Sequence, residues 1–376
     1  MSQLLDQINS LDPSIRAILQ RQGFDPELFV SLASRVGVES ANQNRLTSGV
    51  TPPDPGDIND LPPEASAETK RLIQLGKKAL AQGELAFIVL AGGMATRMGG
   101  VVKSLVKALD GFTFLDMRLQ ENLHWSEECG RPIPLWLMTS HATDEKLREA
   151  LGTRLQPDRL DTFLQNISLR LTPSGDLYFG PDRQPSLYSP GHGDLPEALK
   201  RSGLLQRFLA NGGKYLWIAN IDNLGASIDP LVLGWHIDRA AGVTVEVVDK
   251  VGTDRGGIPV RHNGVPMILE EFRLPLTFDP SSVPVFNTNT FVMDAQQLEQ
   301  SKFAFTWVQV TKNVDNSQAV QFERLLGEIT CDLDTLFLRV PRQGAASRFL
   351  PVKDMDELTR RRDEIRAVAV CRNMLP

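Results

Sequence analysis

The chain has 376 residues, of which 41% are hydrophobic and 23% are charged, and its formal net charge is -6. This length leaves room for two or three domains, and the composition is that of an ordinary globular protein with a sizeable core. The negative charge argues against a large nucleic-acid or membrane-binding surface, although it permits a local basic pocket for a small anion.

The cysteines and the amino-terminal sequence bear on the cellular compartment. Cys129, Cys331 and Cys371 are odd in number and widely spaced, which argues against a disulfide framework and against a zinc site. The start, MSQLLDQINSLDP, lacks the basic and apolar regions of a signal peptide, and no window approaches the ~18 apolar residues of a membrane span. We therefore expect a cytoplasmic protein that does not cross a membrane.

The first part of the chain is predicted to be helical and then extended. Residues 1 to 47 carry apolar side chains at helical spacing, which predicts short amphipathic helices. TPPDPGDINDLPP, residues 51 to 63, is rich in proline and predicts an extended connector, followed by a helix over 66 to 82. We expect this N-terminal segment (1–63) to precede a large central domain (64–353) and a short helical tail (354–376).

A short apolar run followed by glycines is the most informative segment of the chain. Residues 87 to 90, FIVL, predict an interior strand of a parallel sheet. The glycines allow the backbone N–H groups after the strand to point into a shared hollow that suits a phosphate or the edge of a base. The alternative is a structural glycine turn with solvated lysines. These glycines are Gly92, Gly93, Gly99 and Gly100.

Two common phosphate-binding motifs do not fit this loop. The G-x-x-x-x-G-K-[ST] loop needs glycine directly before the lysine, whereas Val102 precedes Lys103. The dinucleotide motif G-x-G-x-x-G needs a second glycine where Met94 or Ala95 stands. The sequence therefore supports neither an ordinary P-loop NTPase nor a nicotinamide dehydrogenase.

Beyond the loop, strands and helices alternate in the way that produces a parallel sheet with flanking helices. A hairpin is predicted to turn at Asn263 and Gly264, within residues 257 to 272. The fold class is therefore α/β. Strands are predicted near 134–140, 215–222, 243–251, 285–293 and 336–342, and helices near 143–152 and 229–242.

Asp222 is a candidate ligand for a divalent metal ion. It ends the predicted strand YLWIANID and lies between Asn220 and Asn223, at the edge of the sheet where ligand crevices form. Mg²⁺ keeps several waters and needs only one or two carboxylates beside substrate phosphates. A polar turn or a helix cap is the alternative interpretation of the same residues.

Two further polar segments have side chains suited to a sugar phosphate. His192 lies between glycines in YSPGHGD, where its imidazole has little bulk around it and can hydrogen-bond a hydroxyl or phosphate. Asn287 and Asn289 are two residues apart and would share one face of a strand, from which amides can bind sugar hydroxyls. A loop histidine and a strand-edge or turn pair are the structural alternatives.

Lys312 follows a strand-like run and precedes a helix-like one. Alone it would be interpreted as a solvated lysine. Together with Lys103, however, it joins glycine loops, amides and one metal-competent aspartate. This set is suited to phosphoryl or nucleotidyl transfer, in which positioning and charge neutralisation supply most of the catalysis. No spacing indicates a Ser-His-Asp or Cys-His nucleophile.

With these segments placed in order, the chain resembles the UTP–glucose-1-phosphate uridylyltransferases, also called UDP-glucose pyrophosphorylases. LAGGMATRMGGVVKS is similar to the family's nucleotide-binding signature, and TFLQN to its uracil-contacting segment. SPGHGD, NIDNLGA and FNTNTF resemble its glucose and metal loops, the segment around Lys312 resembles its second lysine motif, and SRFLPVK matches the motif after the catalytic core. HGD together with NIDNLGA favours the glucose branch over the N-acetylhexosamine pyrophosphorylases.

The resemblance runs from about Phe87 to Lys353, so the N-terminal segment lies outside it. It implies a Rossmann-like, glycosyltransferase A-like nucleotidyltransferase domain over residues 64–353, with a mixed, mostly parallel sheet. The family's eukaryotic members continue into a C-terminal β-helix, whereas we expect only the helical tail here. The oligomeric state is left open.

The resemblance also implies roles for individual residues. Mg²⁺ would bind at Asp222. The loop lacks the family's proline before the motif lysine, so Lys107 competes with Lys103 for the phosphate-contacting role. The implied catalytic residues are Arg97, Lys103 and Lys312; the nucleotide-binding residues are Leu90, Ala91, Gly92, Gly93, Gln165, Gly191 and Asp222; the sugar-phosphate-binding residues are His192, Asn220, Glu270, Asn287 and Asn289.

The implied reaction converts UTP and glucose 1-phosphate into UDP-glucose and pyrophosphate, with no nucleic-acid or membrane partner. One alternative keeps this chemistry but uses another sugar, galactose 1-phosphate or N-acetylglucosamine 1-phosphate. Another is a non-catalytic regulatory protein that binds a sugar nucleotide, since the glycine loop is a residue shorter than the family's usual form.

Overall fold

A computed structural model describes residues 2–37, 44–95, 98–252 and 254–376 of the chain. Within these residues the fold contains both helices and strands. The α-helices are α1 (Ser2–Asn9), α2 (Pro13–Arg21), α3 (Pro26–Ala33), α4 (Ala67–Gln82), α5 (Phe114–Glu128), α6 (Asp144–Leu151), α7 (Leu195–Ser202), α8 (Leu204–Ala210), α9 (Pro230–Arg239), α10 (Ala295–Gln300), α11 (Met355–Arg360) and α12 (Arg362–Cys371).

The strands form one large sheet and several small ones. They are β1 (Val50–Thr51), β2 (Ile58–Asp60), β3 (Leu85–Leu90), β4 (Met94–Ala95), β5 (Val101–Val102), β6 (Lys107–Leu109), β7 (Phe112–Thr113), β8 (Leu135–Thr139), β9 (Leu160–Leu164), β10 (Ser168–Leu169), β11 (Leu187–Tyr188), β12 (Tyr215–Asn220), β13 (Val243–Asp249), β14 (Gly257–His262), β15 (Val265–Glu270), β16 (Val285–Asp294), β17 (Val308–Val314), β18 (Ser317–Glu323) and β19 (Thr335–Arg339).

The central sheet has eight strands in the order β2-β19-β13-β16-β12-β3-β8-β9. β16 runs antiparallel to both of its neighbours, whereas every other pairing in the sheet is parallel. The predicted mixed, mostly parallel α/β sheet is confirmed. Because seven strands point the same way, their carboxyl ends meet at one edge, where open α/β sheets bind ligands.

The middle of the sheet is buried on both faces, as its apolar runs predict. Every residue of β3 and β8 is buried, and so are Leu216 to Ala219 of β12. Two tryptophans, Trp136 and Trp217, are among the largest fully buried side chains. A strand covered by helices on both faces needs such a continuous apolar run rather than an alternating one.

Two helices on one face of the sheet approach closely through glycines. A Cβ added to Gly76 of α4 would lie 2.0 Å from the carbonyl oxygen of Pro230, at the start of α9. A Cβ added to Gly234 of α9 would lie 1.9 Å from the carbonyl oxygen of Leu72. The two backbones are therefore in direct contact, and neither position has room for a larger residue.

The N-terminal helices form a second apolar cluster. Phe29 and Leu32 of α3 pack with Ile167, Leu171 and Phe322 of the central domain. The backbone N–H of Ile167 also donates to the carbonyl oxygen of Gln22, at 3.1 Å. The predicted helices are present, and they pack on the segment that follows Gln165. The proposed division into three domains stays a prediction.

The segment predicted as a connector forms two short strands. β1 pairs with β14 of the hairpin, and β2 forms the edge of the central sheet beside β19. The β14–β15 hairpin turns at Asn263 and Gly264, as predicted, and both residues have a positive φ. That backbone favours asparagine and glycine in a two-residue hairpin turn.

The segment around Lys312 differs from its prediction. The run after Lys312, predicted to be helix-like, is the strand β18, and it pairs antiparallel with β17. The turn residues Asp315 and Asn316 both have positive φ, 47° and 62°, which reverses the chain where a helix was expected to start. Burial of the β18 side chains against the N-terminal cluster then stabilises the strand.

The C-terminal tail consists of the helices α11 and α12. The predicted tail is thus helical, although its helix is interrupted at Arg361. Arg362 and Arg366 of α12 pair with Asp110, which attaches the tail to the turn between β6 and β7. Among the described residues, no helix combines the length and the apolar character needed to cross a bilayer.

The glycine contact between α4 and α9 yields the first testable prediction. Alanine is normally better than glycine inside a helix by about 1 kcal/mol. Gly76→Ala should nevertheless destabilise the protein by about 1–3 kcal/mol, because its methyl group would force the two helices apart. Urea unfolding measures this, with Lys78→Ala at an exposed position of α4 as the control. An unchanged or raised unfolding midpoint for Gly76→Ala would contradict the close contact.

Candidate active site

The glycine loop begins at the carboxyl end of β3, in the middle of the sheet. Two carbonyl groups at its start accept hydrogen bonds from side chains that follow β8: Ser140 donates to the oxygen of Gly92 (2.8 Å), and Thr143 donates to the oxygen of Ala91 (3.2 Å). The N–H groups of Gly92 and Gly93 have no acceptor among the described residues. Both glycines line the adjoining cavity, so their N–H groups are available to a ligand there.

Gln165 lies directly against this loop. A Cβ on Gly92 would come within 2.1 Å of the Gln165 side-chain nitrogen, so only glycine leaves room for the amide. The Gln165 side chain is buried, and its oxygen has no hydrogen-bond partner within the described chain. A buried, unpartnered acceptor in a cavity wall is costly unless a ligand satisfies it.

These residues line a cavity of about 450 Å³, here called the nucleotide cavity because the sequence resemblance assigns residues of its wall to nucleotide binding. Tyr188 and Arg170 form another part of its wall, with the Arg170 guanidinium 5.3 Å from the centre of the Tyr188 ring. Ala91 is fully buried behind the loop and does not line the cavity. The predicted residues that do line it are Leu90, Gly92, Gly93, Lys103, Gln165, Gly191, His192, Asn220 and Asp222.

Lys103 and Asp222 form an ion pair in the cleft. β3 and β12 are adjacent and parallel, with Leu90 opposite Asn220, so the segments after both strands meet at one place. The Lys103 ammonium donates to the Asp222 carboxylate, and both side chains are largely buried. Lys107 is exposed and lines neither this cavity nor its neighbour. The geometry thus identifies Lys103 as the cleft lysine.

Asp222 provides one carboxylate for a cation. Within the described residues, no cluster of three or more His, Cys, Asp or Glu side chains is arranged to hold a metal ion. One carboxylate beside the phosphates of a substrate is nevertheless a common way of holding Mg²⁺, which keeps several of its waters. The residues present therefore fit Mg²⁺ bound jointly by protein and substrate, and they do not fit an all-protein metal cage.

The loop that carries His192 is fixed by backbone contacts that require glycine on both sides. Gly191 has a φ of 101°, and a Cβ on Gly193 would lie 2.5 Å from the carbonyl carbon of Arg324. The backbone N–H of Leu326 donates to Nδ1 of His192 at 2.8 Å, so the ring carries its proton on Nε2. Burial lowers the pKa of His192 to about 4. The imidazole is therefore a neutral donor at pH 7.

A second cavity, of about 820 Å³, adjoins the first and is here called the sugar-phosphate cavity. His192, Asn220 and Asp222 line both cavities and so mark their junction. The other predicted residues that line it are Glu270, Asn287 and Asn289.

The antiparallel strand β16 brings the two asparagines to this junction. Asn289 donates its side-chain N–H to the side-chain oxygen of Asn220 at 3.0 Å. The side-chain oxygen of Asn287 accepts from the backbone N–H of Asn289 at 2.8 Å, and Asn289 has a positive φ of 58°. Asparagine tolerates this backbone better than other side chains do. The amides thus form a connected polar surface rather than two independent groups.

Glu270 lies in the wall of the sugar-phosphate cavity at the end of β15. Burial is the main cause that raises the pKa of its carboxyl group, with Glu271 adding to it. No residue among those described donates a hydrogen bond to the Glu270 side chain or forms an ion pair with it within 4 Å. A half-buried carboxylate of this kind is suited to accepting hydrogen bonds from sugar hydroxyls.

One predicted catalytic residue, Lys312, lies apart from this junction. Lys312 lines neither cavity, and its ammonium lies 3.3 Å from Glu323, whose Cβ is about 4.0 Å from the Cβ position of Gly191. Lys312 is therefore at the rim beside the His192 loop. Arg97 lies outside the described residues.

Several cationic residues of the cavity walls were not predicted from the sequence as site residues. Arg170 lines the nucleotide cavity, and Arg255, Arg342 and Lys353 line the sugar-phosphate cavity. Arg342 packs over the rings of Phe286 and Phe349 and pairs with Asp254. Of these, only Lys353 had a sequence signal, because it closes the SRFLPVK segment.

A family model described as UTP--glucose-1-phosphate uridylyltransferase matches residues 28–367 of the chain. The protein of that name from Musa acuminata is 30% identical over 351 residues, which cover 88% of this chain and 72% of the relative. The relative of the same name from Encephalitozoon cuniculi is 29% identical over 309 residues, and these cover 79% of this chain but only 60% of the relative.

Solved structures support the fold. The UDP-N-acetylglucosamine pyrophosphorylase of Trypanosoma brucei superposes with a TM-score of 0.76 at 20% identity, covering 96% of this chain and 81% of that one. A UDP-glucose pyrophosphorylase of Leishmania major, solved with UDP-glucose, gives 0.69 at 22% identity, covering 93% and 79%. Since the family match extends over most of the chain and includes the glycine loop, His192 and Asp222, the chain belongs to the UTP–glucose-1-phosphate uridylyltransferase family.

Proposed function

We propose that the protein is an enzyme that converts UTP and glucose 1-phosphate into UDP-glucose and pyrophosphate. The observation that carries the proposal is the Lys103–Asp222 pair at the junction of two adjoining cavities. A nucleotidyl transfer needs two substrates on either side of one reacting phosphorus, with charge neutralised between them. The family membership and the names of the curated relatives support the same activity.

In this proposal the nucleotide cavity binds the uridine part of UTP. The unpartnered oxygen of Gln165 accepts the N3–H of uracil, and the free N–H groups of Gly92 and Gly93 donate to the base carbonyls or phosphates. A base with an acceptor at position 3, such as cytosine, would leave the Gln165 oxygen unpaired. The site should therefore discriminate against CTP.

The sugar-phosphate cavity binds glucose 1-phosphate in the same proposal. Glu270 accepts hydrogen bonds from sugar hydroxyls, while Asn289 and the Nε2–H of His192 donate. An oxygen of the sugar phosphate attacks the α-phosphorus of UTP in line. The bond from that phosphorus to the bridging oxygen breaks, and pyrophosphate leaves with the electron pair. No covalent enzyme intermediate forms.

Lys103 stabilises the charge that develops during this step. Its ammonium is already within the cleft, so it does not have to be desolvated again as negative charge grows on the phosphate oxygens. Asp222 would hold Mg²⁺ beside the substrate phosphates, and the ion would neutralise part of their charge. Asp222 therefore has two roles. It pairs with Lys103 in the free protein, and it would become a cation ligand when the substrates bind.

A second sugar is the main competing activity. The Trypanosoma brucei structure with a TM-score of 0.76 is a UDP-N-acetylglucosamine pyrophosphorylase, and the sugar-phosphate cavity of about 820 Å³ could hold an acetamido group. Pyrophosphate release from UTP with glucose, galactose and N-acetylglucosamine 1-phosphates separates the candidates. We expect the highest kcat/KM with glucose 1-phosphate. Binding of UDP-glucose with no release from any of the three would instead indicate a regulatory protein.

A cytoplasmic location is part of the proposal. The cysteines Cys129, Cys331 and Cys371 are all unpaired, as expected in a reducing compartment. The partners in this proposal are UTP and glucose 1-phosphate.

Replacing the cleft lysine should abolish most of the activity. Lys103→Ala removes a cation that is aimed at the developing charge, and we expect kcat to fall by about 10²–10³-fold while the fold is retained. Lys107→Ala is the matched control, because that exposed lysine lies only four residues further along the chain and lines neither cavity. Near-normal turnover of Lys103→Ala, or an equal loss in both variants, would remove Lys103 from its catalytic role.

His192 should stay neutral throughout the physiological pH range. Its pKa is lowered to about 4, and its Nδ1 accepts a backbone hydrogen bond. NMR of ¹⁵N-labelled protein, assigned with His192→Asn, should detect the Nε2–H tautomer and a titration midpoint near pH 4. Since the unfolded chain binds this proton at higher pH, stability should decrease as the pH falls from about 6.5 toward 4. A midpoint near 6.5 would contradict the proposed donor.

A further inference from the structure

The segment that follows Asp222 is a loop, yet it is buried along its whole length. Every residue from Asn223 to Ile228 is buried, and we call this segment the Asn223–Ile228 loop. Loops usually run over the surface, because a buried loop must find hydrogen-bond partners for its backbone away from water. The partners of this loop are therefore informative about what holds Asp222 in place.

Both ends of the loop are held by one buried ion pair. Arg118 and Glu121 lie one turn apart on α5, have no exposed surface, and contact each other at 2.7 Å. Arg118 also donates to the carbonyl oxygen of Asn223, at the start of the loop. Glu121 accepts from the N–H of Ile228, at its end, at 2.8 Å. The pair thus binds the first and the last residue of the loop.

A second buried ion pair also contacts the loop. Arg348 pairs with Glu246 at 2.6 Å and donates to the carbonyl oxygen of Ser227 at 2.9 Å. The side-chain oxygen of Asn223 accepts from the N–H of Leu350 at 2.8 Å. The loop is therefore fixed between α5 and the SRFLPVK segment, and the Arg118–Glu121 pair is its anchor on the α5 side.

Helix α5 is also connected to Lys103, the residue that pairs with Asp222. The N–H of Val106 donates to the carbonyl oxygen of Lys103 at 3.1 Å, and the N–H of Phe114, the first residue of α5, donates to the carbonyl oxygen of Val106 at 3.2 Å. Two successive backbone hydrogen bonds thus connect Lys103 to the start of α5. Arg118 and Glu121 connect α5 to the loop after Asp222, so α5 is hydrogen-bonded to the segments that carry both Lys103 and Asp222.

Stability alone is a weak reason for a buried ion pair. Taking two charges out of water costs several kcal/mol, and apolar residues of similar volume are often as stabilising. We propose that Arg118 and Glu121 are positioning residues, which hold the Asn223–Ile228 loop so that the Asp222 carboxylate faces Lys103 and the substrate phosphates. This inference rests on the proposed function, since it assigns these two residues to the same site.

The test replaces the pair by apolar residues of similar size, Arg118→Met with Glu121→Leu. Because the charges are removed together, no unpaired buried charge remains and the variant should still fold. Its unfolding temperature should fall, since the Asn223 carbonyl and the Ile228 N–H lose these partners, so binding is compared at a temperature at which both proteins are folded. The variant's affinity for UDP-glucose in the presence of Mg²⁺, measured by calorimetry, should nevertheless fall by about 10–100-fold, and kcat should fall in parallel. The exposed pair Arg71–Asp238, changed to glutamine and asparagine, is the control and should leave both values unchanged.

The Asp222→Asn background distinguishes positioning from general destabilisation. If Arg118 and Glu121 act through Asp222, adding their replacement to Asp222→Asn should weaken UDP-glucose binding less than twofold further. Equal, multiplying losses in both backgrounds would overturn the proposal. So would wild-type affinity in the double variant with Asp222 intact.

A conservative pair of single variants keeps the test decisive if the double variant does not fold. Glu121→Gln retains an oxygen for the Ile228 N–H, although its NH2 group faces Arg118, and should preserve part of the affinity. Arg118→Lys carries its three donors on one nitrogen, which cannot replace the two separate guanidinium nitrogens that contact Glu121 and Asn223, and should lose more of it. The reverse order of effects would contradict the assignment. Wild-type protein that neither binds UDP-glucose nor releases pyrophosphate would instead refute the proposed function, and the inference with it.

Discussion

The parallel pairing of β3 with β12 is the constraint on which the site depends. It places Leu90 beside Asn220, so that the glycine loop and the Asp222 loop leave the sheet at the same point. Lys103 and Asp222 can then form an ion pair although 119 residues separate them along the chain. If either strand were shifted by one residue, its side chains would change face and the pair would be lost.

The remaining site residues are added around this junction by elements with different directions. β16 runs against its neighbours, so its early residues Asn287 and Asn289 lie beside the late residues of β12 rather than at the far edge. The His192 loop is seated on the backbone at Arg324, which requires glycine on both sides of the histidine. The result is two cavities that share His192, Asn220 and Asp222, the arrangement that two substrates with one reacting phosphorus require.

Much of this could be predicted because the signals are local. The buried strands, the Asn263–Gly264 turn and the glycine loop each follow from short patterns, and Asp222 was placed correctly at a strand end. The helix predicted after Lys312 was wrong, because a turn with positive φ at Asp315 and Asn316 converts an ambiguous apolar run into a hairpin.

Features that depend on contacts across the chain could not be derived in this way. The contact of Gln165 with Gly92 joins residues that follow two different strands, β9 and β3, and the sequence resemblance alone pointed to Gln165. Arg118 and Glu121 have no recognisable motif, since an Arg–Glu pair one turn apart is usual on an exposed helix. Their role becomes visible only when the loop that they contact is known to be buried.

The central claim is that uridine and sugar occupy opposite sides of the Lys103–Asp222 pair. A crystal structure of the protein with UDP-glucose tests it directly. We expect uracil against Gly92 with its N3–H on the Gln165 oxygen, the diphosphate at Lys103, and glucose beside Glu270 and Asn289. A sugar in the nucleotide cavity, or a diphosphate that contacts Lys107 and leaves the Lys103–Asp222 pair untouched, would contradict it.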